Sequence, residues 1–266
     1  MRHAIYVPPF GELAEPAAAV ELAVAAEQRG WDGVFLWDHI WRGEPQSTHV
    51  ADPWVILSAI AAVTTRIRIG PMVTPLARRR PQKVARESVT LDRLSGGRLT
   101  LGVGLGVDTN GELARFAEAA DAVERGDVFD EALDILQRLW SGEVVDHHGD
   151  RFVVDGVRFL PTPVQQPAIP LWAAARGVGA PRPLRRASRL DGLFPVDSTV
   201  DQVVRMLEVI GSIRGGLDGY DVAMLVEPGG DVAGFADAGI TWAMWSFEPG
   251  DPLTDIRAVV DAGPPG

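Results

Sequence analysis

Residues 31–41 read WDGVFLWDHIW. The segment 33–37 is short and wholly apolar, which predicts a buried β-strand. The strand ends on Asp38 and His39, and the C-terminal ends of strands are where parallel α/β folds carry their chemistry. This stretch therefore predicts a parallel sheet, with a candidate reaction site at one edge of it.

Helical segments lie on both sides of this strand. Residues 16–29 form an alanine-rich run that starts at Pro16 and stops before Gly30. Residues 52–63 follow with Asp52 as a candidate N-cap and Pro53 in the first helical position. Proline near a helix start and glycine just after a helix end are the expected boundary signals.

The same alternation of strand and helix continues through the whole chain. Strands are predicted at 3–7, 33–37, 67–70, 98–103, 171–174, 192–194, 221–226 and 241–246. Helices are predicted at 16–29, 52–63, 81–94, 112–140, 180–188, 200–214, 231–238 and 252–262. Eight strand–helix units favour an α/β fold of the (β/α)8 TIM barrel type over an open doubly wound sheet. We expect one domain over 1–266, with a small β-hairpin inserted after the fourth helix, 143–145 against 152–154.

Composition excludes several classes of protein. The net charge of −11 argues against nucleic acid or an anionic membrane as the main partner. There is no cysteine, and Lys83 is the only lysine. Disulfides, thiolate metal sites and a lysine Schiff base at a strand end are thereby excluded. No apolar run reaches the roughly 20 residues of a membrane span. The first residues lead directly into a strand pattern without a signal segment, so we expect a cytoplasmic protein.

The first candidate site residues are Asp38, His39 and Trp41. His39 could donate or accept a proton, because the pKa of histidine lies nearest neutrality. Asp38 could orient His39 or bond to the backbone, and Trp41 could wall a flat ligand. The alternative interpretation is that Asp38 caps the next segment, His39 lies on the surface and Trp41 packs in a loop. Their place at a strand end favours the functional interpretation.

Three glycine-containing segments follow later strands. Residues 69–75, IGPMVTP, predict irregular backbone after the third strand. Residues 102–106, GVGLG, could let a ligand approach the backbone, or could relieve crowding. They lack the spacing of the dinucleotide fingerprint. Residues 173–179, AAARGVG, join small residues to an arginine before a helix, which favours a phosphate cradle over a short loop with a surface arginine.

Two polar clusters are open to simpler interpretations. Arg78, Arg79 and Arg80 precede the third helix and could attract an anion, but a solvated run of charge is favoured. His147 and His148 occupy the predicted hairpin turn without partners at metal-ligand spacing. We expect both histidines at the surface and no metal site.

The chain resembles the luciferase-like flavin-dependent oxidoreductases, and especially their actinobacterial members that use the deazaflavin coenzyme F-420. The resemblance rests on residues 23–27 (AVAAE) through 37–39 (WDH), 68–75 (RIGPMVTP), 91–98 (LDRLSGGR) through 102–104 (GVG), and 170–172 (PLW) through 176–177 (RG). These segments occur in order over most of residues 1–200. The resemblance implies a barrel that binds coenzyme F-420 or FMN at the C-terminal mouth.

The resemblance also implies roles for individual residues. His39 would lie near the reactive ring, with Asp38 and Trp41 beside it. The ring would be backed by a bulge that contains Gly70, Met72 and Val73, with a cis peptide expected at Met72–Val73. The phosphate would lie near two loops, formed by Gly104, Leu105 and Gly106 and by Arg176, Gly177 and Val178.

The implied activity is hydride transfer between coenzyme F-420 and a small organic substrate. One alternative is an FMN-dependent monooxygenase that uses O2 and receives reduced flavin from a separate reductase. Another is a flavin-binding protein without turnover. A barrel hydrolase or aldolase ranks last. A homodimer is expected from the resemblance alone. The sugar-phosphate dehydrogenases of the family carry Glu directly after the GVGxG run, where this chain has Val107, which argues against that activity.

Overall fold

The computed structural model describes residues 1–43, 49–108 and 111–265. Strands are β1 Arg2–Val7, β2 Gly33–Leu36, β3 Arg68–Pro71, β4 Thr74–Pro75, β5 Leu101–Gly104, β6 Val144–His148, β7 Val153–Arg158, β8 Leu171–Ala175, β9 Gly192–Pro195, β10 Asp221–Val226 and β11 Trp242–Ser246. Helices are α1 Pro16–Arg29, α2 Pro53–Val63, α3 Pro81–Leu94, α4 Ala122–Trp140, α5 Pro181–Ala187, α6 Val200–Arg214 and α7 Leu253–Ala262.

The nine strands other than β6 and β7 form one parallel sheet that closes into a barrel. Their order is β3-β2-β1-β11-β10-β9-β8-β5-β4. The two ends of this order, β3 and β4, are consecutive pieces of one interrupted strand, and Ile69 also bridges to Leu99 beside β5. Counting β3 and β4 as one, the barrel has eight strand positions, and the predicted (β/α)8 fold is confirmed.

Local signals place the first helices as predicted. The Asp52 carboxylate accepts the amides of Trp54 and Val55 at 2.9 and 3.0 Å, which caps α2. Gly30 closes α1 with a φ of 93°, a left-handed conformation that glycine adopts at little cost.

Three predicted elements differ from the structure. Helix α4 begins at Ala122 and not at residue 112, because Asp121 caps it through the amides of Val123 and Glu124. The segment 231–238 forms turns and no helix, so β10 and β11 are joined without a crossover helix. The hairpin is longer than predicted and pairs Val144 with Arg158 and His148 with Val153.

The barrel interior holds its own aromatic core. Phe35, Trp172 and Trp242 contact one another with ring centroids 5.5–6.0 Å apart. A second, larger apolar layer lies between the sheet and the helices. Both barrel strands and helices are therefore fixed by burial of apolar surface. Among the described residues, no helix combines the length and apolar character needed to cross a bilayer.

Candidate active site at the barrel mouth

Asp38 is the centre of a buried charge network at the end of β2. Its carboxylate accepts bonds from Trp54 Nε1 at 3.1 Å and from Thr74 Oγ1 at 2.8 Å. Arg78 and Arg79 donate to it at 3.0 and 2.7 Å. The Asp38 side chain is fully buried, so its lone pairs are used by these four neighbours and none faces a ligand.

The imidazole of His39 is held by a glutamate that sequence analysis did not select. His39 Nδ1 lies 2.7 Å from Glu112 Oε2. The other oxygen of Glu112 accepts the amide of Ile40 at 2.6 Å and Arg78 Nη1 at 2.7 Å. The prediction that Asp38 could orient His39 is therefore wrong, because Glu112 is the carboxylate that contacts the ring.

The pKa of Glu112 favours its charged form. Burial acts to raise this pKa, but the bond to His39, the charges of His39 and Arg78 and the bond from the Ile40 amide outweigh it, so that the pKa is lowered. The ionised Glu112 carboxylate accepts a hydrogen bond from the Nδ1–H of His39. The ring then presents Nε2 as the free nitrogen, and Nε2 has no partner among the described residues.

Aromatic rings form the wall beside His39. Trp37 and Phe10 lie with ring centroids 5.9 and 6.1 Å from His39. Tyr6 contacts Trp37 at 5.6 Å and Phe194 at 5.7 Å, and its hydroxyl donates to the carbonyl of Met72 at 2.8 Å. Tyr6, Trp37 and Phe194 belong to the apolar cluster that fills the barrel interior.

Trp37, for which no role was predicted, lies beside His39, whereas Trp41 contacts Arg115. The indole Nε1 of Trp37 is buried and has no acceptor in the part of the chain that the structure describes. Such a donor costs about 1–3 kcal/mol unless a ligand or water accepts it. Trp41 is half-buried and stacks under the guanidinium of Arg115 at 4.9 Å. Trp37, and not Trp41, is the indole seen in contact with His39.

The bulge between β3 and β4 has the expected backbone. Met72–Val73 is a non-prolyl cis peptide, as predicted. A Cβ on Gly70 would overlap the carbonyl oxygen of Thr100, and one on Gly104 would lie 2.6 Å from Val73 Cγ2. These glycines are therefore required by close packing of the chain against itself. A role for Gly70, Met72, Val73 and Gly104 in holding a cofactor stays a prediction.

The two predicted phosphate loops lie side by side, because they follow the paired strands β5 and β8. Arg176 is exposed and pairs with Asp197 at 3.0 Å. The amides of Gly177 and Val178 donate to no other described residue. The helix that follows contributes less than expected, because Pro181 and Pro183 remove two amide donors from its first turn. Phosphate binding by Leu105, Gly106 and this loop stays a prediction.

The remaining polar clusters lie outside this arrangement or within its support. Arg78 and Arg79 are not a solvated run, since both are anchored on Asp38, whereas Arg80 is exposed. His147 lies in β6, half-buried against Glu131 at 3.0 Å, while His148 is exposed. Among the described residues, no group of three His, Asp or Glu side chains is arranged to hold a metal ion.

Sequence analysis missed two site residues, Trp37 and Glu112, and only Trp37 had a sequence pattern that could have identified it. Trp37 is signalled by alternation, because 33, 35, 37 and 39 lie on one face of an extended strand. Glu112 had no such signal, because it reaches His39 across 73 residues of sequence from an irregular loop.

A family model described as luciferase-like monooxygenase matches residues 3–213. The chain belongs to this family. F-420-dependent glucose-6-phosphate dehydrogenases from Nakamurella multipartita and Beutenbergia cavernae are 33% and 38% identical to it over 170 residues. Each of these alignments covers 63% of this chain and 49% of the relative, so the chain spans about half the length of the curated relatives it matches.

Solved structures of other enzymes share the fold. An F-420-dependent secondary alcohol dehydrogenase superposes with a TM-score of 0.73 at 26% identity, covering 85% of this chain and 68% of that one. A monooxygenase from Streptomyces bottropensis superposes with a TM-score of 0.77 at 21% identity, covering 98% and 96% of the two chains. The fold in the second comparison is therefore shared over nearly the whole of both chains.

Proposed function

We propose that this luciferase-like chain is an oxidoreductase that uses coenzyme F-420 to transfer a hydride to or from a small alcohol or carbonyl compound. Support comes from the sequence relatives, which are named as F-420-dependent dehydrogenases. A structural relative at 26% identity is named as an F-420-dependent secondary alcohol dehydrogenase in complex with an F420-acetone adduct.

The residues at the barrel mouth fit a flat ring with a phosphate tail. The wall of Trp37 and Tyr6 offers aromatic surface, and the orphaned indole N–H of Trp37 offers a donor. The neighbouring loops after β5 and β8 carry exposed amides, two of them at Gly177 and Val178 without internal acceptors. Backbone amides without partners suit a phosphate oxygen.

The observation that carries the proposal is the fixed orientation of His39. Because Glu112 occupies Nδ1, the proton-accepting nitrogen of the neutral ring is Nε2. Only 22% of the His39 side chain is exposed, so the ring is held at the mouth and remains reachable. A positioned imidazole of this kind is suited to general acid–base work.

In this proposal the cofactor transfers the hydride and the side chains of the protein transfer the proton. A bound deazaflavin supplies an acceptor or donor of hydride, which no side chain of the protein provides. His39 takes up the hydroxyl proton of an alcohol at Nε2, or returns it when a carbonyl compound is reduced. Glu112 holds the ring in place and stabilises its charge while the proton resides there.

The proposal is tested first by fluorescence titration of the protein with coenzyme F-420 and, separately, with FMN. We expect micromolar affinity for coenzyme F-420. We further expect His39→Ala to keep that affinity and to lower kcat with alcohols about 100-fold or more, the usual contribution of a general acid–base. If neither cofactor binds, the oxidoreductase proposal fails.

An FMN-dependent monooxygenase is the second candidate. The observation that favours it is the barrel of the Streptomyces bottropensis monooxygenase, which matches the present chain over 98% of its length. Exclusive binding of FMN, with consumption of O2 when reduced FMN is supplied, would select this function over the first.

A further inference from the structure

A second feature of the mouth lies away from His39. A cleft of about 630 Å³ opens beside the ends of β9, β10 and β11 and the start of α7. Leu225, in its lining, packs against the apolar cluster that contains Tyr6, Trp37 and Phe194. Ser246, also in the lining, is in register with Tyr6. The cleft therefore adjoins the aromatic wall of the candidate active site from the opposite side.

Among the described residues, the lining of this cleft is acidic and holds no basic side chain. Its carboxylates belong to Asp197, Glu227, Glu248, Asp251 and Asp255. Two cations lie near the mouth: Arg176 pairs with Asp197 at 3.0 Å, and Arg42 lies over the ring of Trp37 at 4.8 Å from its centroid. The only lysine, Lys83, lies in α3 and pairs with Glu87.

Two of the carboxylates have no internal partner. Asp251 accepts the amide of Glu248 at 2.8 Å, and Asp197 is held by Arg176. The carboxylates of Glu227 and Glu248 make no hydrogen bond or ion pair with any described residue. Their charge is therefore available to a ligand in the cleft.

The cleft lies beside the aromatic wall by strand pairing. Ser246 of β11 is in register with Tyr6 of β1, and Phe247 and Glu248 follow it directly in the cleft lining. A charged group on a substrate can therefore lie in the cleft while its reacting carbon lies at the barrel mouth.

The cleft also has an apolar side that continues into the barrel. Leu225, Phe247 and Val259 supply apolar surface for a carbon skeleton. Leu225 in turn packs against the apolar cluster that contains Trp37.

We infer that this cleft is the substrate subsite and that it selects an alcohol or carbonyl compound bearing an ammonium group over one bearing a phosphate or carboxylate. This inference rests on the proposed function and narrows it. An anion would be brought among five carboxylates in a lining that contributes no basic side chain from the described residues. The chain would thus differ in substrate from relatives that are named for glucose 6-phosphate.

The test uses ligands that share a skeleton and differ in charge. Binding of trans-4-aminocyclohexanol, cyclohexanol and trans-4-hydroxycyclohexanecarboxylate is measured by calorimetry, with the preferred cofactor bound when one binds and with the protein alone otherwise. Glucose and glucose 6-phosphate form a second pair. We expect the ammonium compound to bind at least tenfold more tightly than the carboxylate, and the difference to shrink in high salt.

A double variant and a matched control locate the effect. In Glu227→Gln/Glu248→Gln we expect the preference for the ammonium compound to fall severalfold. Asp134→Asn/Asp155→Asn removes the same charge from exposed positions on α4 and β7, and should leave the preference unchanged. Equal affinity for cation and anion, or equal effects of the two variants, would overturn the inference. Cofactor titration is a separate measurement, so failure of the proposed function is recognised independently.

Discussion

At the scale of residues, the mouth of the barrel depends on two carboxylates with different tasks. Asp38 is closed in by four donors and secures the fold around the site, whereas Glu112 contacts the imidazole of His39. Glu112 therefore positions His39, while Asp38 supports the surrounding structure. The two can be distinguished by substitution, because one affects stability and the other affects the reaction.

Replacing Asp38 by Asn should destabilise the protein strongly. The change removes the negative charge that faces Arg79 and one of the two carboxylates that face Arg78, whose other partner is Glu112. Removing one partner of a buried ion pair costs about 3–5 kcal/mol. Urea denaturation measures the free energy of unfolding. Asp134→Asn, which breaks an exposed pair with Arg138, should change it by less than about 1 kcal/mol. Equal effects of the two variants would contradict the assignment.

Replacing Glu112 by Gln should slow the reaction without weakening cofactor binding. The amide can still contact Nδ1 of His39, but it carries no negative charge to stabilise the ring while a proton resides there. We expect kcat to fall about tenfold while the affinity for the cofactor stays unchanged. Loss of cofactor affinity together with kcat would indicate a structural role only.

At the scale of elements, the alternation of strand and helix patterns, with capping, proline and glycine residues at the helix ends, predicted all eight strands of the barrel. The pattern was decisive where burial and local capping agree, as at Asp52 before α2. It failed at 231–238, where Gly234 interrupts a helix-like apolar period and Gly229, Gly230 and Gly239 flank it. Glycine raises the entropy cost of helix formation, and here that cost is decisive. The loop position of Glu112 was missed because the fourth helix was predicted to begin at residue 112, whereas α4 begins at Ala122.

The junction of β3 with β5 should tolerate no side chain at Gly70. A Cβ there would overlap the backbone carbonyl of Thr100, which cannot rotate away. We expect Gly70→Ala to lower the free energy of unfolding by about 1–3 kcal/mol or more. In Gly179→Ala the new methyl meets nothing within 4 Å, so its effect should stay within about 0.5 kcal/mol. Comparable midpoints for the two variants in urea would refute this.

At the scale of the whole molecule, acid should unfold the protein through specific carboxylates. In Glu27, Glu112, Asp130 and Glu131 burial acts to raise the pKa, but hydrogen bonds and nearby cations outweigh it and the pKa is lowered. A group with a lowered folded pKa stabilises fully above its unfolded pKa, about 4 for these residues, and less as pH falls through the folded value.

We therefore expect the urea midpoint to change little from pH 7 to about pH 5 and to fall steeply below about pH 4. Glu27→Gln should lose stability relative to the natural protein at pH 7, because the Glu27 carboxylate accepts the amides of Thr65, Arg66 and Ile67. That difference should shrink at acidic pH. A difference that is constant with pH would show that the charge of Glu27 is unimportant.

The two sides of the mouth come from separate stretches of the chain. The network around Asp38 and Glu112 lies within residues 38–112, and the lining of the acidic cleft lies within residues 195–259. Under the proposed function and the inference drawn from the cleft, proton handling and charge selection would be encoded by separate segments of the chain. Recombination between homologous barrels at the hairpin β6–β7 would exchange the second segment and leave the first intact. We expect such an exchange to change substrate preference while the network around Asp38 and Glu112 is kept.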